Sequence, residues 1–275
     1  MFTLNCKGRL LVLDKPIVMG IINVTPDSFY ASSRKQNISD LVTQAEQMIN
    51  DGATILDIGG QSTRPGSAIL SEDEELNRVV PAISAISEKF PQTILSVDTY
   101  YAKVADEAVA AGASMVNDIS GGTFDKKMIS VVAGLGVPYV LMHIKGTAAT
   151  MHEPTVYDDL LRELLDFFIT RTDTLKKAGI KDIIVDPGFG FSKSIAQNFE
   201  LLGKLEMFQI LNLPLLTGLS RKSTIYKTLD ITADEALNGT TVLNTICLMK
   251  GAGILRVHDV KEAKQAIELV NAMGI

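Results

Sequence analysis

A chain of 275 residues that is 46% hydrophobic and 21% charged has the composition of an ordinary globular protein, and it can bury a large core without disulfides or structural metals. Its net charge of -6 argues against a general nucleic-acid or membrane-surface binder, although it leaves room for a local anion site. Cys6 and Cys247 are too few for a disulfide framework and lack metal-ligand spacing. Because no apolar run reaches the ~20 residues of a membrane span and residues 1–13 lack a secretory signal pattern, we expect a cytoplasmic protein.

The first predicted element is a β-hairpin over residues 2–16, where apolar and polar residues alternate around Lys7-Gly8. Eight short apolar runs follow, and each is typical of a parallel strand buried on both faces. They begin near Ile17, Ile55, Ile94, Met115, Pro138, Ile183, Leu215 and Ile254. The segments between them have helical apolar spacing. One predicted helix follows the cap-like Ser39, and Pro81 is expected to kink another or to mark a later start.

The repeated order of strand and helix predicts the fold. A glycine precedes five of the eight strands, in the position that commonly ends a helix. Repeated strand–helix units give a parallel sheet, and eight of them close naturally into a (β/α)8 TIM barrel. An open doubly wound sheet is the alternative. We predict one α/β barrel domain over residues 1–275, with the hairpin capping the bottom of the barrel.

Polar residues stand at the carboxyl end of every predicted strand. They include Asn23, Asp57, Asp98, Asn117, His143, Asp186, Ser220 and Arg256. A single Asp or Asn after a strand is more often a helix cap or a turn former. Asp57 either supports the loop that follows it as a buried hydrogen-bonding residue or contacts the ligand directly. Polar groups at all eight ends favour a shared pocket, because these ends meet at one face of a parallel barrel.

The residue types in this pocket indicate a class of ligand. Asp98, Asn117 and Asp186 offer acceptors and one amide, which suit a ring with an amino group beside a protonated ring nitrogen. The cationic donors, which suit phosphate or pyrophosphate, are Arg64, Lys222, Arg256 and His258. The sequence therefore predicts a polar heterocycle joined to a phosphorylated group.

Eight segments in chain order resemble the signatures of the dihydropteroate synthase family. They are residues 22–29 (INVTPDSF), 57–66 (DIGGQSTRPG), 96–99 (SVDT), 116–119 (VNDI), 141–143 (LMH), 186–191 (DPGFGF), 218–223 (GLSRKS) and 256–260 (RVHDV). Two positions depart from the common pattern: Gln61 stands where many members have Glu, and Ser192-Lys193 where Gly-Lys is commoner.

The resemblance implies a reaction and a set of site residues. The family condenses 6-hydroxymethyl-7,8-dihydropterin pyrophosphate with p-aminobenzoate, through a pterin cation, and gives 7,8-dihydropteroate and pyrophosphate for folate biosynthesis. The implied pterin site comprises Asp98, Asn117, Met142, Asp186, Lys222 and Arg256. The implied pyrophosphate site comprises Asn23, Thr63, Arg64, Arg256 and His258, with Asn23 as a ligand to Mg²⁺. The implied p-aminobenzoate site comprises Phe29, Pro65, Phe191, Ser220 and Lys222.

The same resemblance implies which residues take part in the chemistry and which partners bind. The expected catalytic residues are Asp98, Asp186, Lys222 and Arg256. The expected partners are the two small substrates and a second copy of the chain in a homodimer, without nucleic acid or membrane. The family is also a target of sulfonamides, which imitate p-aminobenzoate. The alternatives are a pterin-binding methyltransferase domain that uses methyltetrahydrofolate and a non-catalytic pterin-binding paralogue.

Overall fold

The computed structural model describes residues 1–24, 34–61, 69–151, 153 and 155–274. The strands of this part of the chain are β1 Phe2–Cys6, β2 Arg9–Leu13, β3 Ile17–Asn23, β4 Ile55–Gly59, β5 Ile94–Asp98, β6 Met115–Asp118, β7 Tyr139–Met142, β8 Ile183–Asp186, β9 Leu216–Thr217 and β10 Ile254–Val257. Its α-helices are α1 Arg34–Asn50, α2 Glu72–Lys89, α3 Ala102–Ala111, α4 Met128–Leu135, α5 Leu160–Lys177, α6 Ile195–Gly203, α7 Ser223–Leu229, α8 Leu237–Met249 and α9 Val260–Ala272. A 3-10 helix spans Leu205–Leu211.

Eight parallel strands form a barrel surrounded by helices. The strands β3 to β8 pair in chain order, and β10 pairs with both β3 and β9. A parallel bridge between Val185 and Leu215 joins β8 to the start of β9, where the amide of Val185 also donates to the carbonyl of Pro214 at 2.9 Å. The predicted (β/α)8 barrel is therefore confirmed over the open doubly wound sheet.

The hairpin of β1 and β2 closes the amino-terminal end of the barrel, as predicted. Its side chains Leu4, Cys6, Leu11 and Leu13 form one buried cluster with a residue from every barrel strand. The strand residues of this cluster are Met19, Ile55, Ile94, Met115, Val140, Ile184, Leu216 and Ile254. Burial of apolar surface against this layer holds the hairpin in place. Because all eight strands are parallel, their polar carboxyl ends lie at the opposite end of the barrel.

Strand register brings those polar ends to one level. Asn23 pairs with Gly59, Gly59 with Asp98, and Asp98 with Asn117. On the other side of the barrel, Met142 pairs with Asp186. Side chains from β5, β6 and β8 therefore start at matching heights around the mouth of the barrel.

The predicted start of α1 was wrong, and so was the later start of α2 that Pro81 allowed, while a kink at Pro81 stays a prediction. The helix α1 begins at Arg34, so Ser39 lies inside it and does not cap it. The helix α2 begins at Glu72, where Ser71 and Glu74 form a capping box, and it continues through Pro81 to Lys89. The strong cap outweighs the local penalty of a proline. Among the described residues, no helix is long and apolar enough to cross a membrane.

Candidate active site

Arg256 lies at the centre of the barrel mouth, between two buried carboxylates. Its Nε donates to Asp57 Oδ2 at 2.7 Å, and its Nη2 donates to Asp98 Oδ2 at 2.5 Å. Asn117 Nδ2 donates to the same oxygen of Asp57 at 2.9 Å. Asp57 is 0% exposed. The sequence left open whether Asp57 supports the pocket or contacts the ligand, and these contacts favour support.

Asp98 is held in an environment that opposes its negative charge. Burial raises its pKa to about 7, the Arg256 guanidinium opposes that rise, and the Asp57 and Asp118 carboxylates add to it. A carboxylate with a perturbed pKa in a strand-end pocket is typical of a functional site. A ligand that brings N–H donors or positive charge to Asp98 would stabilise its anionic form.

Asp186 and Lys222 face each other across the other side of the mouth. Burial raises the pKa of Asp186, and the Lys222 ammonium opposes this rise. Burial lowers the pKa of Lys222 to about 8, and Asp186 opposes this change. Lys222 Nζ donates to the carbonyl of Phe189 and lies 4.5 Å from the centre of the Phe191 ring. The two opposite charges partly offset the free-energy cost of burying each other. Such a pair can bind a polar ring.

The turn between β9 and α7 carries a second set of polar groups. The Ser220 hydroxyl lies 3.0 Å from His258 Nδ1 and accepts from the backbone amide of His258 at 3.2 Å. Arg221 has a left-handed φ of 54° and makes a two-point ion pair with Asp259, at 2.9 and 2.8 Å. Arg221 and Asp259 were not predicted as site residues, although both lie in the family-like segments. Their ion pair holds this turn against the end of β10.

An apolar cluster forms one wall of the mouth. Its buried members are Tyr100, Ile119, Met142, Ile144, Met151 and Phe191. Only Met142 and Phe191 were predicted as site residues. The others come from the loops after β5, β6 and β7, where no polar pattern marked them. Such a wall provides flat, water-poor surface for an aromatic ligand.

His143 is buried beside this wall and has a supporting role. Burial lowers its pKa to about 2, and the neighbouring Lys193 charge acts in the same direction. Its Nδ1 lies 3.2 Å from Lys193 Nζ, and its ring packs edge-on against Phe167 at 4.9 Å. A neutral, enclosed imidazole is poorly suited to transfer protons at neutral pH.

Four predicted site residues, Phe29, Thr63, Arg64 and Pro65, lie outside the described residues. The described residues next to these segments are held by hydrogen bonds. The amide of Val24 donates to the carbonyl of Gly59 at 2.8 Å, and the amide of Leu70 donates to Gln61 Oε1 at 2.7 Å. Gln61 supplies here an uncharged acceptor where a glutamate would add another negative charge.

Comparison with known proteins places this barrel in a family. The sequence profile described as Pterin binding enzyme matches residues 19–258. The chain is 43% identical to a dihydropteroate synthase of Escherichia coli strain K12, over 98% of this chain and 95% of that protein. The chain belongs to the dihydropteroate synthase family. A dihydropteroate synthase of Bacillus subtilis strain 168 is 44% identical, over 94% of this chain and 89% of that protein.

Solved structures of the dihydropteroate synthase family have the same fold. The enzyme of Xanthomonas albilineans with 4-aminobenzoic acid has a TM-score of 0.91 and 38% identity, and covers 99% of this chain and 98% of its own. The enzyme of Yersinia pestis in a sulfonamide drug complex has a TM-score of 0.92 and 41% identity, and covers 99% of both chains. The family resemblance of the eight sequence segments is thereby confirmed.

Proposed function

We propose that this chain condenses 6-hydroxymethyl-7,8-dihydropterin pyrophosphate with p-aminobenzoate to give 7,8-dihydropteroate and pyrophosphate in folate biosynthesis. The observation that carries the proposal is one barrel mouth in which buried carboxylates and buried cations lie side by side. The family supports the same reaction, because relatives that match almost the whole chain are named dihydropteroate synthase.

The pterin ring would bind on the side of the mouth that holds Asp98, Asn117 and Asp186. Its amino group and ring N–H groups would donate to the carboxylates, in charge-assisted hydrogen bonds. Arg256 would lie over the ring, and Lys222 would donate to a ring acceptor. Met142 belongs to the apolar wall that would contact the flat face of the ring.

The pyrophosphate would leave from the side that holds Arg256 and His258, with Thr63 and Arg64 completing the predicted set. When the C–O bond between the pterin methylene and pyrophosphate breaks, its electron pair goes to the pyrophosphate oxygen. Cationic donors fixed in place would stabilise this growing negative charge. Asp98 and Asp186 would stabilise the positive charge that develops on the pterin system.

Asn23 would contribute one ligand to Mg²⁺. It is exposed at the end of β3, and no cluster of His, Cys, Asp or Glu among the described residues could hold a metal ion by itself. This donor set fits Mg²⁺, which commonly takes most of its ligands from substrate phosphates and water. When bound, Mg²⁺ would neutralise charge on the leaving pyrophosphate.

The arylamine would approach along Phe191 and Lys222, with Ser220, Phe29 and Pro65 as the other predicted contacts. The nitrogen lone pair forms the new bond to the pterin methylene carbon, and one proton then leaves the nitrogen. No strong base is required, because an arylamine is nucleophilic while neutral. The apolar wall would limit attack by water on the cation.

The predicted homodimer has support in an apolar surface on α8 and α9. Large side chains exposed there are Val242, Met249, Leu269 and Met273. Apolar patches of this kind commonly mark protein interfaces. The two helices pack against each other, and α9 also packs against β3 and β10.

The reaction is tested by supplying both candidate chemistries to the same protein. Pterin pyrophosphate, Mg²⁺ and p-aminobenzoate are mixed with the chain, and 7,8-dihydropteroate is measured by mass spectrometry. A parallel sample receives methyltetrahydrofolate and a corrinoid acceptor. Dihydropteroate formation without methyl transfer is the expected result. Methyl transfer alone would establish the methyltransferase alternative, and pterin binding without either product would establish the non-catalytic one.

A further inference from the structure

Lys193 is a buried lysine behind the proposed arylamine site, with no role assigned so far. It is 5% exposed. Its Nζ lies 3.0 Å from the carbonyl oxygen of Gly188, 3.2 Å from that of Phe191 and 3.2 Å from His143 Nδ1. An ammonium group has three N–H donors, and these three acceptors match them one to one.

The partners of Lys193 are consistent with a charged, donating amine. His143 is neutral at neutral pH, and in its Nε2–H tautomer Nδ1 accepts from the ammonium of Lys193. Burial lowers the pKa of Lys193 to about 7, and the Asp186 carboxylate opposes this change. Asp186 acts at a distance, and the three contacts are uncharged acceptors. A buried ammonium of this kind is costly to the fold unless all its hydrogen bonds are made.

The loop that Lys193 holds also carries the groups that place Lys222. Lys222 donates to the carbonyl of Phe189 and lies over the ring of Phe191. A Cβ at Gly190 would lie 2.9 Å from Lys222 Cδ, and one at Gly188 would lie 2.1 Å from the backbone oxygen of His143. The loop is therefore packed so closely between the end of β7 and Lys222 that neither glycine has room for a side chain.

We propose that Lys193 is a positioning residue for the arylamine side of the site. Its ammonium ties the loop of residues 188–191 to the end of β7, and this tie sets the position of Phe191 and of the carbonyl that anchors Lys222. The inference rests on the proposed function, because it assigns the consequence to arylamine binding.

The test is Lys193→Met, which keeps an unbranched stem and removes the ammonium. The KM for p-aminobenzoate should rise about tenfold, because small displacements of positioning groups cost rate and affinity. The KM for pterin pyrophosphate should rise less, by at most about threefold, because Asp98 and Asn117 lie on other strands and only Asp186 and Lys222 link the pterin side to this loop. The matched control is Lys204→Met, which removes an exposed lysine at the end of α6 and its ion pair with Glu200. It should leave both KM values unchanged.

A merely structural lysine would give a different pattern. A lower melting temperature with both KM values unchanged, or changed by the same factor, would overturn the inference. Should Lys193→Met fail to fold, Lys193→Gln replaces it, because its amide can donate to two of the three acceptors. It should then show a smaller selective rise in the arylamine KM, and no selective rise would again overturn the inference. A wild-type protein that makes no dihydropteroate would instead overturn the proposed function.

Discussion

At the scale of single residues, the site depends on one arginine shared by two acids. Arg256 donates to Asp57 and Asp98, and Asn117 donates to Asp57. Each member is therefore oriented by another, and a change at Asp57 reaches two side chains that the ligand would contact. Networks of this type cost far more to break than a surface ion pair.

We expect Asp57→Asn to lower kcat/KM by about 100-fold, although Asp57 is fully buried beneath the pocket. Asparagine keeps one acceptor oxygen but loses the negative charge, so the ion pair of Arg256 with residue 57 is lost and both Arg256 and Asp98 can turn from their productive positions. Steady-state kinetics check this result. The control is the exposed Asp106→Asn on α3. Activity within threefold of wild type in Asp57→Asn would contradict the supporting role.

Glu75 is a buried acid whose surroundings disfavour its ionised form. It is 0% exposed, and neither of its carboxyl oxygens has a hydrogen-bond partner among the described residues. Burial raises its pKa to about 8 from an ordinary value of 4.5. The nearby Thr99 hydroxyl, which does not reach ordinary hydrogen-bond geometry, and the Arg78 charge oppose the rise, whereas the Asp98 and Asp118 charges add to it. We therefore expect Glu75 to keep its proton at neutral pH.

The raised pKa of Glu75 predicts a pH-dependent gain in stability for Glu75→Gln. Between pH 4.5 and 8 the folded wild type holds a proton that the unfolded chain releases, so wild-type stability falls as pH rises through this window. Glutamine has no such proton. We expect the difference in free energy of unfolding to shift by ~3 kcal/mol in favour of the variant between pH 5 and pH 8. Urea titrations at both pH values measure it.

The matched control for Glu75→Gln lies on the same helix. Glu88 is exposed near the end of α2, so Glu88→Gln should show no comparable pH-dependent change relative to wild type. A Glu75→Gln stability difference that is the same at pH 5 and pH 8 would show that Glu75 is ionised in the folded protein.

At the scale of elements, Ser192 joins the loops after β7 and β8. It has a left-handed φ of 52°, and its hydroxyl accepts from the amide of Lys145 at 3.0 Å and donates to the carbonyl of Lys145 at 2.6 Å. Glycine would relieve the backbone strain but lose both hydrogen bonds. Alanine would keep the strain and lose them as well.

We therefore expect Ser192→Ala to destabilise the protein more than Ser192→Gly, by about 1 kcal/mol. The free energies of unfolding of the two variants, from urea titrations, check this order. Equal stability of the two variants would show that the φ of Ser192 carries no strain. A more stable alanine variant would reverse the argument.

The sequence predicted elements better than their ends. The eight apolar runs identified the strands, because each is continuous and bounded by glycine or polar residues. The start of α1 was wrong, since Ser39 resembles a cap but lies within a helical stretch. Two helices, α7 and α8, stand between β9 and β10, where a simple repeat has one. Asp230 ends α7 in a left-handed conformation, which was not predicted from the sequence.

The sequence predicted which residues lie in the candidate site better than it predicted which of them contact one another. Polar strand ends identified Asp98, Asn117 and Asp186 because parallel strands bring such ends together. The central place of Asp57 was left open, since a sequence does not show which acid an arginine on another strand will meet. The links from Lys193 to His143 and from Ser220 to His258 depend on loop packing, and the spacing of residues along the chain does not encode it.

At the scale of the whole molecule, the barrel with its capping hairpin is the predicted architecture. That residues 1–275 act as one domain stays a prediction, as does the cytoplasmic location. In the predicted homodimer, the interface would be the side of the barrel formed by α8 and α9. An apolar surface there would be covered by a second copy of the chain in solution.

We expect Leu269→Asp to shift the protein from dimer to monomer. Leu269 is 72% exposed on α9, so the substitution should leave the fold of one chain intact while placing a charge in the interface. Sedimentation equilibrium gives the mass of the wild type and the variant. The control is Ile169→Asp, at an exposed apolar position on α5. A wild type that sediments as a monomer would contradict the prediction.

The central claim is that this barrel joins a pterin to an arylamine with loss of pyrophosphate, and pyrophosphate release tests it most directly. Pterin pyrophosphate and Mg²⁺ are incubated with the wild type or Asp98→Ala, with and without p-aminobenzoate, and released pyrophosphate is measured. We predict release that requires p-aminobenzoate, equals the dihydropteroate formed and falls at least ~100-fold in Asp98→Ala. A wild type that binds the pterin by calorimetry but releases no pyrophosphate when p-aminobenzoate is added would contradict the claim.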